Sequence, residues 1–340
     1  MQTAHDMDHT GPAAGLPYDG HLTTADGKGL WWEGYDPQQL YAPKHPPMAL
    51  PDSSYVKNFY DRTRDLIDQH HPDLLYLDNA SLPLGWAGVS VSAYFYNHNL
   101  RAHGGRLEAV ITTKQVPEQW ATCLVPDIER GVSPTILAHP WQSETCIGQW
   151  HYQRRLAEQP GPYGGYTPPR NVIHWMIDTV SKNGTFLLNL PGRPDGTLDE
   201  KEIAVLDGIE AWMRLNSEAI YATRPWHISG EGPATGQPSP PGEALPALGA
   251  QDIRFTQNKS GTCVYAIALG WPEGQLFVKS MGTNAVPQPK RVRHARHRCP
   301  AALGANRRGS ASPTSATVAP RRGLRCGLPD SVQLKPARTP

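Results

Sequence analysis

Two hydrophobic periods take turns along this chain. After Asp52-Ser53-Ser54, residues suited to an N-cap, Val56, Phe59, Tyr60, Thr63, Leu66 and Ile67 fall on one helical face. Leu74, Leu75 and Leu77 follow as an apolar run too short for a helix, bounded by Pro72 upstream and by Pro83 and Gly85 downstream. That pattern predicts a strand covered on both faces and ending in Asp78. A second unit pairs a helix over about 90–101, with Val91, Tyr94, Phe95 and His98, with a strand at 109–113. After a long aromatic loop, a third runs from a helix at 171–181 (Val172, Ile173, Met176, Ile177, Val180) to a strand at 185–190. Gly184 is the predicted left-handed cap between them. A last helix opens on Thr197-Leu198-Asp199-Glu200, read as a capping box, and is predicted to turn Ile203, Leu206, Ile209 and Met213 inward.

Helix and strand thus alternate at least three times, which predicts a parallel α/β sheet, either a barrel or doubly wound. The chain has neither G-x-G-x-x-G nor G-x-x-x-x-G-K-[ST], and this favours the barrel. Residues 1–54 lack a sustained period and read as a loop-rich excursion whose dense aromatic cluster is Trp31-Trp32-Glu33-Gly34-Tyr35-Asp36. The barrel segment is assigned to 55–227. Residues 228–250 are rich in Gly, Pro and Ser and read as a linker. In 251–290, stretches at 252–255 and 262–269 alternate Ile253, Phe255, Val264, Ala266 and Ala268 about Gln257-Asn258-Lys259-Ser260-Gly261, the pattern of a hairpin in a small β module.

Charge separates the last segment from the rest. Of 32 basic and 31 acidic residues, 11 basic and one acidic lie in 291–340, leaving 21 against 30 in 1–290, a balance of −9. An acidic body is no candidate for nucleic-acid binding. The tail at 291–340 has no Trp, Tyr or Phe and is predicted to be disordered. Its abrupt Arg-rich onset reads as a shifted reading frame in preference to a basic arm. Five cysteines, at 123, 146, 263, 299 and 326, are odd in number and form no C-x-x-C, so neither a disulfide framework nor a metal site is expected. No run of 18 apolar residues predicts a membrane span, and the N-terminus does not read as a signal peptide. No cofactor is expected.

The candidate chemistry lies in isolated acids. No G-x-S-x-G or H-E-x-x-H occurs. Asp78 ends a strand, where a carboxylate would face the functional rim of a barrel, although Asp also caps loops. Glu144 lies among Trp141, Trp150 and Tyr152, and apolar rings beside a carboxyl favour the protonated state that a general acid needs. An exposed loop carboxylate is the plainer alternative. Glu129, next to Arg130, suits substrate hydrogen bonding better than proton donation. Two carboxylates, one ionised and one protonated, are the equipment of glycoside hydrolysis.

Asp73-Leu74-Leu75-Tyr76-Leu77-Asp78, Pro140-Trp141-Gln142 with Glu144-Thr145-Cys146, Ser181-Lys182-Asn183-Gly184-Thr185-Phe186-Leu187-Leu188-Asn189, Asp195-Gly196-Thr197 and Glu218-Ala219-Ile220-Tyr221-Ala222-Thr223-Arg224-Pro225-Trp226 occur in this order. Together they resemble the alpha-L-fucosidases of glycoside hydrolase family 29. The resemblance implies part of a (β/α)8 TIM-type barrel, lacking its N-terminal half, followed by a truncated C-terminal β-sandwich. It also implies a retaining exo-hydrolase of terminal alpha-L-fucosyl residues, metal-free and cofactor-free, acting on fucosylated glycoconjugates. Asp78 would be the nucleophile and Glu144 the acid/base, with Glu129 in reserve and the two carboxyls about 5–5.5 Å apart. Tyr76, Trp141, Trp150, Arg130 and Trp32 would contact the sugar. By analogy with the family the location would be secreted, periplasmic or lysosomal. Two alternatives stay open: a non-catalytic carbohydrate-binding remnant, and a glycosidase for another sugar.

Overall fold

The computed structural model describes residues 23–30, 32–36, 50–159, 165–237, 247–272, 276–281, 292–294, 316–318 and 332–336. It divides into two compact units, Met1–Pro126 and Asp127–Pro340. Much of the predicted N-terminal excursion and part of the predicted linker, including 238–246, lie outside the described residues.

In the first unit, helix α1 (Ser53–His70) starts where Asp52 Oδ1 accepts the amides of Ser54 and Tyr55 at 2.9 and 3.1 Å. These are two of the orphan donors that every helix start must satisfy. The helix ends at His71, which is left-handed at φ 46° and whose amide donates to the Ile67 carbonyl at 3.0 Å. Strand β1 (Leu74–Ala80), helix α2 (Trp86–Ala102) and strand β2 (Val110–Lys114) follow. The two strands pair in parallel from Leu74 opposite Val110 to Leu77 opposite Thr113, and the register slips between Leu77 and Ala80. Ile67, Leu77, Phe95, Ala109, Ile111 and Leu124 form the core.

Two sequence expectations need correction here. β1 is not covered on both faces: Leu77 is buried, but Leu74 is 51 % exposed and Leu75 half-buried. Leu66 is exposed as well, because the inward face of α1 is centred on Val56 and Ile67, and one residue turns a helix by about 100°.

The second unit begins within strand β3 (Val125–Glu129) and continues through β4 (Trp141–Cys146), α3 (Pro169–Ser181), β5 (Gly184–Asn189) and α4 (Glu200–Asn216). β3 pairs in parallel with β4, and β4 with β5. The sequence reading placed a loop where β3 and β4 lie. All six residues of Trp141–Cys146 are buried, four of them polar, so no hydrophobic alternation announced the strand. Buried polar groups of this strand find partners on other segments, as burial requires. Gln142 Nε2 donates to Asp127 Oδ1 at 2.9 Å, Ser143 Oγ to the Gly131 carbonyl at 2.6 Å, and Trp175 Nε1 to Ser143 Oγ at 2.9 Å.

Gly184 is required, but for a different reason from the one predicted. The left-handed residue is Asn183, at φ 72°. A Cβ on Gly184 would come within 2.6 Å of the Thr179 methyl and 2.7 Å of the Trp141 ring, so it is close packing that excludes a side chain. Helix α4 is capped by Asp199, which accepts from Lys201 and Glu202 while Glu202 returns a bond to the Asp199 amide. The capping box therefore starts two residues later than predicted. The buried face is Glu202, Val205, Gly208, Trp212 and Asn216, with Ile203 exposed and Leu206, Ile209 and Met213 half-buried.

Strands β6 (Thr223–Glu231), β7 (Ile253–Asn258) and β8 (Val264–Ala268) form antiparallel pairs, and β6 runs into the predicted linker. Ile253, Phe255, Ala266 and Ala268 pack with Trp226 on one face, and Tyr265 and Ile267 pack with Ile173, Ile177 and Trp212 of α3 and α4 on the other. A buried ionic triad joins the layers: Asp178 of α3 accepts from Lys182 Nζ at 2.6 Å and from Arg254 Nε of β7 at 2.5 Å. Strand β9 (Leu276–Val278) follows. In the segment predicted to be disordered, three short strands are described: β10 (Val292–His294), β11 (Ala316–Val318) and β12 (Val332–Pro336). β12 pairs in parallel with β8, β10 with β12, and β11 antiparallel with β9. The open edges of β8 and β9 supply backbone partners that a low-complexity composition does not reveal.

Candidate active site

In the first unit, Asp78 sits at the register slip of β1, with its side chain 71 % exposed and 2.6 Å from Lys114 Nζ at the end of β2. The chain is braced just beyond it. Ser81, at φ 64°, donates its amide to the Lys114 carbonyl at 2.6 Å, and its own carbonyl accepts from Thr113 Oγ1 at 2.6 Å. A bulge at a strand end re-aims the side chain it carries. Asp78 is thus an accessible carboxylate held by a cation from the neighbouring strand. Sequence reasoning missed Lys114, for which the available signal was a basic residue at the C-terminal end of the next parallel strand. Tyr76 is half-buried on the same strand.

In the second unit, Glu144 lies on β4 in register with Glu129 of β3, and both acids are enclosed, Glu144 buried and Glu129 half-buried. Glu144 is therefore a strand residue, and the exposed-loop alternative is excluded. Arg130, at φ 46°, donates its amide to the Glu144 carbonyl at 2.8 Å. Its guanidinium reaches Cys146 Sγ at 3.0 Å and lies 4.7 Å over the Trp150 ring. Burial pushes the Cys146 thiol up, against the opposing pull of Arg130, so the thiol form is favoured. Asn189, at the end of β5, ties down this loop by donating to the Trp150 carbonyl at 3.2 Å.

Two of the predicted sugar contacts are core residues. Trp141 is fully buried, donates Nε1 to the Lys182 carbonyl at 2.9 Å and packs with Val132 and Trp175. Trp32 is 1 % exposed, packed so tightly on Gly27 that a Cβ there would meet its ring at 2.6 Å. Neither ring offers a face to a ligand. The 218–226 motif is also used in packing. Glu218 accepts from Tyr265 Oη at 2.8 Å, the Ala219 carbonyl accepts from Thr256 Oγ1 at 2.7 Å, and Trp226 packs edge-on against Phe255. Among the described residues no group of three or more His, Cys, Asp or Glu is arranged to hold a metal ion, and no helix is long and apolar enough to cross a membrane.

The chain is similar to known alpha-L-fucosidases in sequence and in fold. The human tissue alpha-L-fucosidase is 26 % identical over 220 residues, covering 62 % of this chain and 40 % of the relative. The human plasma alpha-L-fucosidase is 28 % identical over 146 residues, covering 42 % and 27 %. The chain thus spans about two fifths or less of the length of these relatives. In fold it is similar to the Thermotoga maritima alpha-fucosidase solved with a mechanism-based inhibitor (TM-score 0.57, 21 % identity, 79 % of this chain and 53 % of that one). It is similar too to alpha-L-fucosidase isoenzyme 1 of Paenibacillus thiaminolyticus (TM-score 0.57, 18 % identity, 82 % and 61 %). A sequence profile described as alpha-L-fucosidase matches residues 26–218, which contain both Asp78 and Glu144, and on that match over more than half its length the chain belongs to the alpha-L-fucosidase family.

Proposed function

We propose that this chain carries the nucleophile and the acid/base of a retaining alpha-L-fucosidase, and that it represents part of a (β/α)8 barrel followed by a shortened β-sandwich. The observation that carries the reading is the exposed Asp78 carboxylate, held by Lys114 at the slipped end of a parallel strand. Acids at such ends are where barrel enzymes keep their chemistry.

In the first step a carboxylate oxygen of Asp78 attacks the anomeric carbon of the fucosyl ring. The glycosidic C–O bond breaks, and the leaving oxygen takes a proton from Glu144. In the second step Glu144 removes a proton from water, whose oxygen attacks the same carbon and releases fucose and free Asp78. Lys114 holds the Asp78 carboxylate in place between turnovers. Glu144 is buried, and its backbone carbonyl accepts the Arg130 amide at 2.8 Å, which fixes the strand that carries it. Glu129 is the reserve proton donor, and Tyr76 and Trp150 are the aromatic contacts that remain for the sugar. The substrate is a terminal alpha-L-fucoside of an oligosaccharide or glycoconjugate. A Bacteroides thetaiotaomicron relative is described as a trapped covalent intermediate with 2-fluoro-fucosyl fluoride, which supports the same test here.

Incubation with that reagent and peptide mapping by mass spectrometry is expected to find one fluorofucosyl ester, on Asp78. An adduct on another carboxylate would reject the assignment. Galactoside turnover without fucoside turnover would redirect it to a different sugar. Fucose binding with neither an adduct nor turnover would leave a non-catalytic sugar-binding role.

A further inference from the structure

The loops after β4 and β5 form a second feature, distinct from the carboxylates. A cleft of about 670 Å³ is lined by Tyr152, Arg154, Arg193, Pro194 and Asp195. These residues follow the C-terminal ends of β4 and β5, the rim at which Glu144 and Trp150 also lie.

The charges are arranged unequally. Asp195 is occupied, accepting from the Thr197 amide at 2.9 Å and the Thr197 hydroxyl at 2.7 Å. Arg193 is fixed in place by the Leu198 carbonyl at 3.1 Å, by Glu200 at 3.4 Å and by a hydrogen bond with Tyr152. Arg154 is exposed in the cleft wall, and Arg155 beside it is exposed too. The body of the chain carries a balance of −9 over 1–290, so a cluster of guanidinium groups on this rim runs against its surroundings. A long-range acidic field repels anions, and a local basic cleft within it selects those that present their charge at one point.

Resting on the fucosidase reading of the same rim, we infer that this cleft is the seat of the leaving sugar and selects an aglycone bearing an anionic group, a sulfate or a carboxylate. Arg154 is its specificity-determining residue, and Arg193 with Tyr152 forms its fixed floor. Guanidinium groups suit both oxyanions through paired N–H donors.

The test is a binding measurement on the full chain, which needs no turnover. N-acetylglucosamine 6-sulfate is titrated beside neutral N-acetylglucosamine, and glucuronic acid beside glucose, followed calorimetrically and by ligand NMR. The anionic member of at least one pair is expected to bind on the order of tenfold more tightly at low salt, with the advantage shrinking as salt rises. The responding pair identifies sulfate or carboxylate as the preferred group. Arg154→Glu should erase the advantage, and Arg154→Lys should keep part of it. Equal binding within both pairs, no binding at all, or an advantage that survives Arg154→Glu overturns the inference. The fucosidase reading fails separately, through the missing Asp78 adduct.

Discussion

The ends of β1 and β4 hold their acids in opposite ways. Asp78 stands exposed with a lysine alongside, on a strand whose apolar residues are only partly covered. Glu144 is buried in a strand whose every residue is buried, among polar side chains bonded to one another and to backbone. The difference matches the proposed tasks. A nucleophile must be reached by a carbon atom and be aimed at it, so exposure and one positioning cation suffice. A proton donor must keep its geometry through two half-reactions, and a packed polar strand holds it more firmly than a loop would.

Substitutions can break this contrast, with effects of decreasing size. Asp78→Asn should lower fucoside hydrolysis by on the order of 10⁴-fold or more, roughly 5 kcal/mol of barrier. Its exposed ion pair predicts a stability change within roughly 1 kcal/mol, so denaturant melts should nearly overlay the parent. A large shift in the melt would make Asp78 a structural residue.

The polar interior of the second unit predicts the reverse sensitivity. Asp178→Ala leaves Lys182 and Arg254 buried without their carboxylate, and chemical denaturation should register a loss of about 3–5 kcal/mol. Arg254→Met with Lys182→Met in the Asp178→Leu background should recover much of it, since an apolar triad has no charge to desolvate.

His174 supplies a pH-dependent version of the same comparison. Burial on α3, with Arg170 adding to it, lowers this imidazole from 6.5 to about 4. The unfolded chain then binds the proton more readily than the folded one. Its contribution is complete above pH 6.5 and is lost as the pH falls toward 4, by at most about 3 kcal/mol. His174→Gln should flatten that part of the stability profile, and an unchanged acid limb would assign it to other groups. A smaller effect is expected of Gly184→Ala, whose methyl must displace the Trp141 ring or the Thr179 methyl at a cost of about 1–3 kcal/mol. Tryptophan fluorescence would report whether Trp141 moves.

Legibility in the sequence followed the source of each signal. Helices α1, α2 and α3 were readable because their apolar faces repeat at 3.6 residues, and β1, β2 and β5 because short apolar runs lie between turn residues. β4 was not, because Trp-Gln-Ser-Glu-Thr-Cys buries polar groups against distant partners such as Asp127, Gly131 and Trp175. α4 was found with Ile209 and Met213 correctly placed against the core, but the centre of its buried face is rotated from the predicted one and Ile203 is exposed. Trp212 and Gly208 are selected by neighbours on α3 and β8 and by Pro169, whose ring would lie 2.6 Å from a Cβ on Gly208. Asp78 and Glu144 were nameable as isolated acids among apolar and aromatic residues, whereas the basic residue ending the next strand, Lys114, gained its meaning only once β2 was laid beside β1 in register.

By itself the sequence determined what depends on near neighbours along the chain: the alternating α/β class, the acidic body, the cap at Asp52 and the two candidate carboxylates. Tertiary structure alone decided which aromatic rings are core, why Gly184 must lack a side chain, that Glu144 belongs to a buried strand, and which cation faces Asp78. Each of these depends on atoms that packing brings together from far apart in the chain, and a pattern of hydrophobicity records only that a residue is buried, never against what.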